Sequence, residues 1–329
     1  MEPYQTLEIE FGKWAGVSNV VACSSGTSAL QLAIEALCLT KGSFVIIPEF
    51  TMIACARAVT MAGLIPLPID CDPVTLNLDI NKLNALVNPK IDNVSAIMLV
   101  HIYGRRSDPC LDQWAARNNL PVIEDLSEAH GVPPGPRTAA ACWSFYKNKI
   151  IAGEEGGAVA FRNSHVADTA KMQRSLGFTP SHNFDHIPGG FNARMSNCHA
   201  QLILESLAKA NENIAARKRV VEVYDEQIPV LCKRPPRHAN WVYDLTLPNE
   251  FPHESARNVV ERLNRKGVAA RMAFRPVSSQ QEYYRDGFEN LEAWKASQRV
   301  IYLPIRPDML DSEVRNNVSV LRSVLSYTS

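Results

Sequence analysis

The strongest constraint on this chain is the regular alternation of short apolar runs with segments of helical spacing. Phe44 to Ile47 reads as a strand, Met52 to Ala62 as a helix, Ile65 to Ile69 as a strand and Asp79 to Leu86 as a helix. Ala96 to Val100, Asp108 to Asn118 and Pro121 to Ile123 continue the series as strand, helix and strand. Repeated units of this kind imply an α/β fold: a mainly parallel sheet sandwiched by helices on both faces. Ligands in such sheets bind beyond the carboxyl ends of the strands. The residues that follow each strand are therefore where chemistry is to be sought.

Two strand ends stand out. The run Val20-Val21-Ala22-Cys23 leads into Ser24-Ser25-Gly26-Thr27-Ser28 and then a helix from Ala29 to Leu39, with Leu30, Leu32, Ala33, Ala36 and Leu37 at helical spacing. A small-residue turn at a helix start leaves backbone N–H groups aligned with the helix dipole, which suits a phosphate. A simple helix cap accounts for the same residues when the motif stands alone. At the second end, Glu124-Asp125 follows Pro121-Val122-Ile123 directly, so Asp125 projects from the carboxyl edge toward the Gly26 turn. A carboxylate there can keep a pyridinium nitrogen protonated, or it can cap the segment Ser127 to Gly131.

The stretch from Ser144 to Gly157, Ser-Phe-Tyr-Lys-Asn-Lys-Ile-Ile-Ala-Gly-Glu-Glu-Gly-Gly, lies between two further strand candidates, Ala139 to Phe145 and Gly156 to Phe161. Lys149 thus sits in a turn between core strands. Partial desolvation lowers a lysine pKa and makes a neutral amine available for imine formation. The plain alternative is a turn lysine with its ammonium in water, which is the reading given to Lys147.

Beyond this point Val166 to Leu176 reads as a helix, and Gly177 to Phe191 as an aromatic, histidine-bearing loop of the kind that carries function. Asn197 to about Tyr224 reads as one long helix, broken near Gln227 to Pro229. A boundary in this helix divides the chain into a large α/β domain, residues 1–215, and a smaller C-terminal α+β domain, residues 216–329. The smaller part has strand candidates at Trp241 to Leu247 and Val268 to Met272, with helices at Glu254 to Lys266 and Asp311 to Leu325.

Composition excludes several functions. Lys+Arg and Asp+Glu each total 34, so no global field draws the protein to nucleic acid or anionic membrane, and an anionic substrate must be held by local groups. The 8 cysteines are scattered without a Cys-x-x-Cys pair, which fits reduced residues of a cytoplasmic protein rather than a disulfide framework or zinc site. No apolar run approaches a membrane span, and the N-terminus lacks a signal-peptide core.

Taken together, Ser25-Gly26-Thr27-Ser28-Ala29-Leu30, Pro48-Glu49-Phe50-Thr51, Val100-His101-Ile102-Tyr103-Gly104, Glu124-Asp125 through His130-Gly131, Ser144-Phe145 through Lys149 with Gly153 to Gly157, Asn192-Ala193-Arg194-Met195-Ser196 and Leu303-Pro304 have a familiar order and spacing. From about Leu7 to Leu325 the chain resembles the DegT/DnrJ/EryC/StrS sugar aminotransferases, pyridoxal-phosphate enzymes with the aspartate aminotransferase fold. The resemblance implies that Lys149 bonds the cofactor as an imine and later shuttles a proton, and that Asp125 pairs with the pyridine nitrogen. It also implies phosphate contacts from Gly26, Thr27, Ser28 and Ser144. Glu128 stands where many members have glutamine near the phenolic oxygen. Asn192 corresponds to a residue that reaches the phosphate of the neighbouring subunit, which implies a homodimer with shared active sites.

Met52 replaces an aromatic that stacks on the cofactor ring in many members, and a thioether can still pack there. Leu176-Gly177 replaces a common His-Gly pair. Tyr146 is a sugar or cofactor contact, or core packing. Arg194 binds a substrate phosphate or forms a salt bridge at a helix start. Tyr283 and Tyr284 are placed at the sugar nucleotide by position alone, and His101 and His130 are expected to make structural hydrogen bonds. The implied activity moves an amino group, expected from glutamate, to a keto carbon of a nucleotide-linked 6-deoxyhexose. Phe50 to Cys55 most resembles the perosamine type, which acts at C4. The alternatives are a 3-keto substrate, or a catalytically silent cofactor-binding sensor on the same scaffold. Dehydrating relatives carry histidine at the lysine position, so Lys149 argues against that chemistry.

Overall fold

The computed structural model describes residues 1–88, 92–181, 183–229, 232, 234–247 and 255–326. Its first half is built from α1 (Pro3–Ala15), β1 (Val20–Cys23), α2 (Gly26–Ala36), β2 (Phe44–Pro48), α3 (Ala54–Met61), β3 (Ile65–Ile69), α4 (Ile80–Leu86), β4 (Val94–Val100), α5 (Pro109–Arg117), β5 (Val122–Asp125), β6 (Thr138–Ser144) and β7 (Gly157–Phe161). Side-chain caps start the helices where the sequence has short polar residues: Ser25 accepts from the Ser28 N–H, Asp79 from Asn81 and Asp108 from Cys110. Capping by Ser25 starts α2 at Gly26, three residues before the expected Ala29.

The seven strands lie in the order β1-β7-β6-β5-β4-β2-β3. Pairings among β3, β2, β4, β5 and β6 are parallel. β7 is antiparallel to both β6 and β1, because a loop without a crossover helix joins β6 to β7. Every residue of β1, β5 and β7 is buried, as a sheet covered on both faces requires. One face packs on α2, α3 and α6 (Ser164–Gln173), and the other on α1 and α7 (Asn197–Ala208), with α4 and α5 over its far end.

The expected single helix from Asn197 to Tyr224 is two helices, α7 and α8 (Ala210–Gln227). They meet at Lys209, whose φ of −104° and ψ of 9° leave the helical region and whose N–H turns back to the Ser206 carbonyl at 3.2 Å. The break redirects the chain between two cores. α7 buries Ala200, Ile203 and Leu207 against the large sheet, whereas Val220, Val221 and Tyr224 of α8 enter a second core.

That second core surrounds a three-stranded antiparallel sheet in the order β8-β10-β9, made of β8 (Tyr243–Thr246), β9 (Arg271–Met272) and β10 (Val300–Leu303). α9 (Ser255–Arg265), α10 (Glu292–Arg299) and α11 (Asp311–Ser326) complete it. The expected strand Val268 to Met272 shrinks to its last two residues, because Gly267 at φ +83° and the Ala270 N–H bond to the Val268 carbonyl at 2.7 Å consume the rest in a turn. α10 and the central strand β10 had no sequence counterpart, and the expected helix start at Glu254 lies outside the described residues.

Buried polar groups dock this unit on the large sheet. Asp70, just after β3, caps α10 by accepting the N–H groups of Glu292 and Ala293, both at 2.9 Å. Glu49 accepts the Ser278 N–H at 2.6 Å and its hydroxyl at 2.8 Å. Arg105 grips Asp244 of β8 with two bonds of 2.9 Å. These contacts hold the smaller unit over the carboxyl edge of the large sheet.

Candidate active site

Three strand ends converge at that edge. β1 and β6 both pair with β7, with Cys23 and Ser144 each opposite Gly157. This brings the turn after Cys23 against the end of β6. A Cβ on Gly26 would lie 2.7 Å from Ser144 Cβ, and one on Gly157 would lie 2.3 Å from the Ser25 carbonyl oxygen, so both close approaches require glycine. Among the described residues the N–H groups of Gly26 and Thr27 have no hydrogen-bond partner, as expected at a helix start.

On β5, successive side chains point to opposite faces. Glu124 turns away, accepting the Gly135 N–H at 3.0 Å and lying 3.4 Å from His101. His101 in turn accepts the Ser107 N–H at Nδ1, 3.0 Å away. Asp125 faces the site, with the Ser127 N–H on Oδ1 at 2.9 Å and the Cys55 thiol on Oδ2 at 3.5 Å. Glu128, one turn on, accepts the Tyr103 N–H at 2.7 Å. Tyr103 presents that N–H from a left-handed backbone, φ 52°, which accounts for the His-Ile-Tyr-Gly motif as a bend that aims the peptide at Glu128.

Lys149 is held from several sides. Its N–H bonds the Tyr146 carbonyl at 2.8 Å, and the Gly153 N–H returns to Phe145 at 2.8 Å. His130 brackets the loop: Ile151 donates to Nδ1 at 3.2 Å, so Nε2 carries the proton and donates to the Ser144 carbonyl at 3.0 Å. Burial and the nearby Lys149 charge push the His130 pKa down to about 3, which keeps the ring neutral and structural. Burial also lowers the Lys149 pKa, opposed by the charges of Glu128 and Asp125. Burial raises Glu128 to about 7, opposed by Lys149 and the Tyr103 N–H.

Gly26, Thr27, Met52, Asp125, Glu128, Ser144, Tyr146 and Lys149 all line one cavity of about 480 Å³. The smaller unit closes it with Trp241, Arg271, Phe274 and Tyr302. These four escaped sequence reasoning, along with Asn148 and Glu155 on the lysine loop. The Leu303-Pro304 motif beside Tyr302 was the one local signal. Met52 is 53% exposed at the cavity rim.

Other candidates lie elsewhere. The Ser28 hydroxyl bonds those of Ser24 and Ser25, both at 3.0 Å, and does not line the cavity. Asn192 and Arg194 line a separate cavity of about 610 Å³ with Tyr4 and Arg174, and Arg194 donates to the Ser175 hydroxyl at 3.1 Å. Neither reaches Lys149 within one chain. Tyr283 bonds Thr60 at 3.1 Å and Tyr284 is exposed, both outside the Lys149 cavity. Lys147 is exposed.

The donor set suits a phosphorylated pyridine aldehyde. The partnerless N–H groups at the α2 start, beside the Ser144 hydroxyl, match a phosphate. A buried carboxylate on the floor matches a protonated ring nitrogen, and a lysine depressed by burial matches an aldehyde carbon.

A sequence profile of the DegT/DnrJ/EryC1/StrS aminotransferase family matches residues 2–322. The chain is 34% identical to the GDP-perosamine synthase of Caulobacter vibrioides, over 97% of this chain and 89% of that protein. It is 32% identical to the UDP-2-acetamido-2-deoxy-3-oxo-D-glucuronate aminotransferase of Pseudomonas aeruginosa, over 67% of this chain and 62% of that one. Among solved structures, it superposes on 3-amino-5-hydroxybenzoic acid synthase with a TM-score of 0.90 and 25% identity, covering 99% of this chain and 91% of the other.

Proposed function

The chain belongs to the DegT/DnrJ/EryC1/StrS aminotransferase family, and on that premise we propose that it transfers an amino group from glutamate to the C4 keto carbon of a nucleotide-linked 6-deoxyhexose. Members of the family are pyridoxal-phosphate-dependent aminotransferases, and this chain is one of them. The observation that carries the substrate reading is the convergence of Lys149, Glu128 and Asp125 on one cavity of about 480 Å³ that the smaller unit walls with Trp241, Arg271, Phe274 and Tyr302. Its 34% identity to a GDP-perosamine synthase supports the sugar class. A 3-keto substrate is the second reading, favoured by the likeness to the 3-oxo-glucuronate enzyme.

When bound, pyridoxal phosphate supplies the electron sink for carbon–nitrogen exchange. In this reading Gly26, Thr27 and Ser144 hold its phosphate, Asp125 keeps its ring nitrogen protonated, Met52 packs at the ring, and Lys149 forms the covalent attachment. Once released, the Lys149 amine, whose pKa burial lowers, would take a proton from one carbon and return it to another. Glu128, raised to about 7 by burial, stands beside it. Tyr146 and Arg271 line the same cavity and contact the sugar nucleotide in this reading. Asn192 and Arg194 serve the phosphate and substrate of a second copy, in a homodimer with shared sites. Residues 1–215 form the cofactor-binding domain and 216–329 the smaller one. The enzyme acts in the cytoplasm, in deoxyamino-sugar supply for polysaccharide synthesis. Among the described residues no helix is long and apolar enough to cross a membrane.

The test is the absorbance of the protein with added pyridoxal phosphate, before and after glutamate. We expect a visible band that bleaches with glutamate, followed by amination of a nucleotide-linked 4-keto-6-deoxyhexose. Lys149→Ala should lose both the band and turnover, and retention of both would sink the assignment.

A further inference from the structure

We propose that Trp241 is a positioning residue for Lys149, its indole face forming the seat on which the lysine ammonium rests whenever the amine is not bonded to cofactor. The proposal rests on the reading of Lys149 as the imine-forming lysine. Lys149 Nζ lies 3.9 Å from the centre of the Trp241 ring, well within cation–π range. Among the described residues that nitrogen makes no hydrogen bond and no ion pair within bonding distance, so the ring face is the contact that decides where the ammonium sits.

The ring itself cannot drift. Its indole N–H donates to the carbonyl of Asn148, the residue before Lys149, at 3.0 Å. The Trp241 carbonyl accepts from buried Arg217 at 3.1 Å, and the side chain is 5% exposed. Tyr103 stacks near it with centroids 6.3 Å apart, and Tyr302 packs beside it at 6.2 Å. The same tryptophan thus grips the lysine loop by its edge and the lysine head by its face.

This arrangement suits a lysine that must alternate between bound and free. A π face attracts the ammonium but makes no directional hydrogen bond that must be broken when the proton leaves. It stabilises the charged form and offsets part of the desolvation that works against it. The other groups facing Lys149 are the carboxylates of Asp125 and Glu128 and neutral His130, with Tyr146, Glu155, Tyr302 and Arg271 on the surrounding walls.

The test uses the full-length chain stripped of cofactor, in which Lys149 is methylated with formaldehyde and cyanoborohydride and its peptide is quantified by mass spectrometry across pH. Two perturbations are compared: Trp241→Leu, and replacement of all tryptophans by mono-, di- and trifluorotryptophan, which weakens the π face while keeping its shape. We expect Lys149 modification near neutral pH to rise by about tenfold in Trp241→Leu and stepwise with each fluorine, the profile moving down by about one pH unit. Other lysines serve as the internal control. A flat fluorine series overturns the proposal, whether or not Trp241→Leu folds. The parent reading fails separately: if the wild-type protein forms no visible band with pyridoxal phosphate, Lys149 is not the attachment point.

Discussion

Asp244→Asn is the perturbation that most directly tests how the second wall of the cavity is held. Asp244 is 0% exposed, and three guanidiniums converge on it. Arg105 approaches bidentately at 2.9 and 2.9 Å, Arg237 Nε at 2.8 Å and Arg234 Nε at 3.2 Å. Arg105 comes from the bend after β4 and also ties the Pro235 carbonyl at 3.0 Å, so the cluster joins both units to the segment between them. One carboxylate therefore offsets three enclosed cations. Asparagine preserves the volume but removes the only negative charge in this set of four. Removing one partner of a buried pair costs about 3–5 kcal/mol, and the two extra guanidiniums put this case at the upper end. With a urea slope of about 3 kcal/mol per M, the unfolding midpoint followed by circular dichroism should fall by about 1.5 M. A fall below about 0.3 M would refute the reasoning.

The same cluster fixes a sign in acid. Burial alone would raise the Asp244 pKa, but Arg237, Arg105 and Arg234 overcome it and hold the carboxyl below its ordinary value. A folded-state pKa below the unfolded one gives stability that is complete above the unfolded value and is lost as pH falls through the folded one. The wild-type protein should lose stability steeply below about pH 4, and Asp244→Asn should show a shallower acid limb. Parallel acid limbs would mean that the charge is not what the cluster depends on.

Two further substitutions address the cavity. Gly26→Ala places a methyl 2.7 Å from Ser144 Cβ and 3.2 Å from its Cα, at a strand end that cannot retreat. Overpacking of this kind costs about 1–3 kcal/mol, and a spectroscopic titration should show pyridoxal phosphate bound at least about tenfold more weakly; unchanged affinity would detach the turn from the phosphate. Glu128→Gln keeps the acceptor for the Tyr103 N–H but removes a carboxyl that burial raises from 4.5 to about 7. An acid raised on folding costs stability progressively as pH climbs from its unfolded value through its folded one. Relative to wild type, Glu128→Gln should therefore gain about 3 kcal/mol between pH 4 and pH 8, the raised value already including the attraction to Lys149. Urea midpoints at the two pH values decide it, and equal differences would contradict the shifted pKa.

What could be read from the chain follows from how far apart the interacting residues lie. The cavity positions of Asp125 and Ser144 were legible because each ends a strand, and that of Gly26 because it opens the helix just after one, and strand ends in a parallel sheet share one edge whatever the rest of the chain does. Lys149 was legible because its loop is bounded by two apolar strands. Ser28 shows where local reading stops: a hydroxyl at a helix start suits a phosphate and a cap equally, and here it bonds the hydroxyls of Ser24 and Ser25. On the opposite wall the one local signal was Leu303-Pro304, beside Tyr302. β10 is four residues long and follows α10 without a break, so no punctuation marks it, yet it is the central strand that sets Tyr302 opposite Arg271. Trp241 meets Lys149 across 91 intervening positions because Asp244, three residues on, is captured by an arginine of the large sheet unit. An aspartate in a strand candidate reads as a solvent-facing residue until Arg105, Arg234 and Arg237 are seen to enclose it. The chemistry of the first wall is thus written in short motifs, whereas that of the second depends on where the two units are locked together, which is why the Asp244 cluster and the Trp241 contact are the places to perturb.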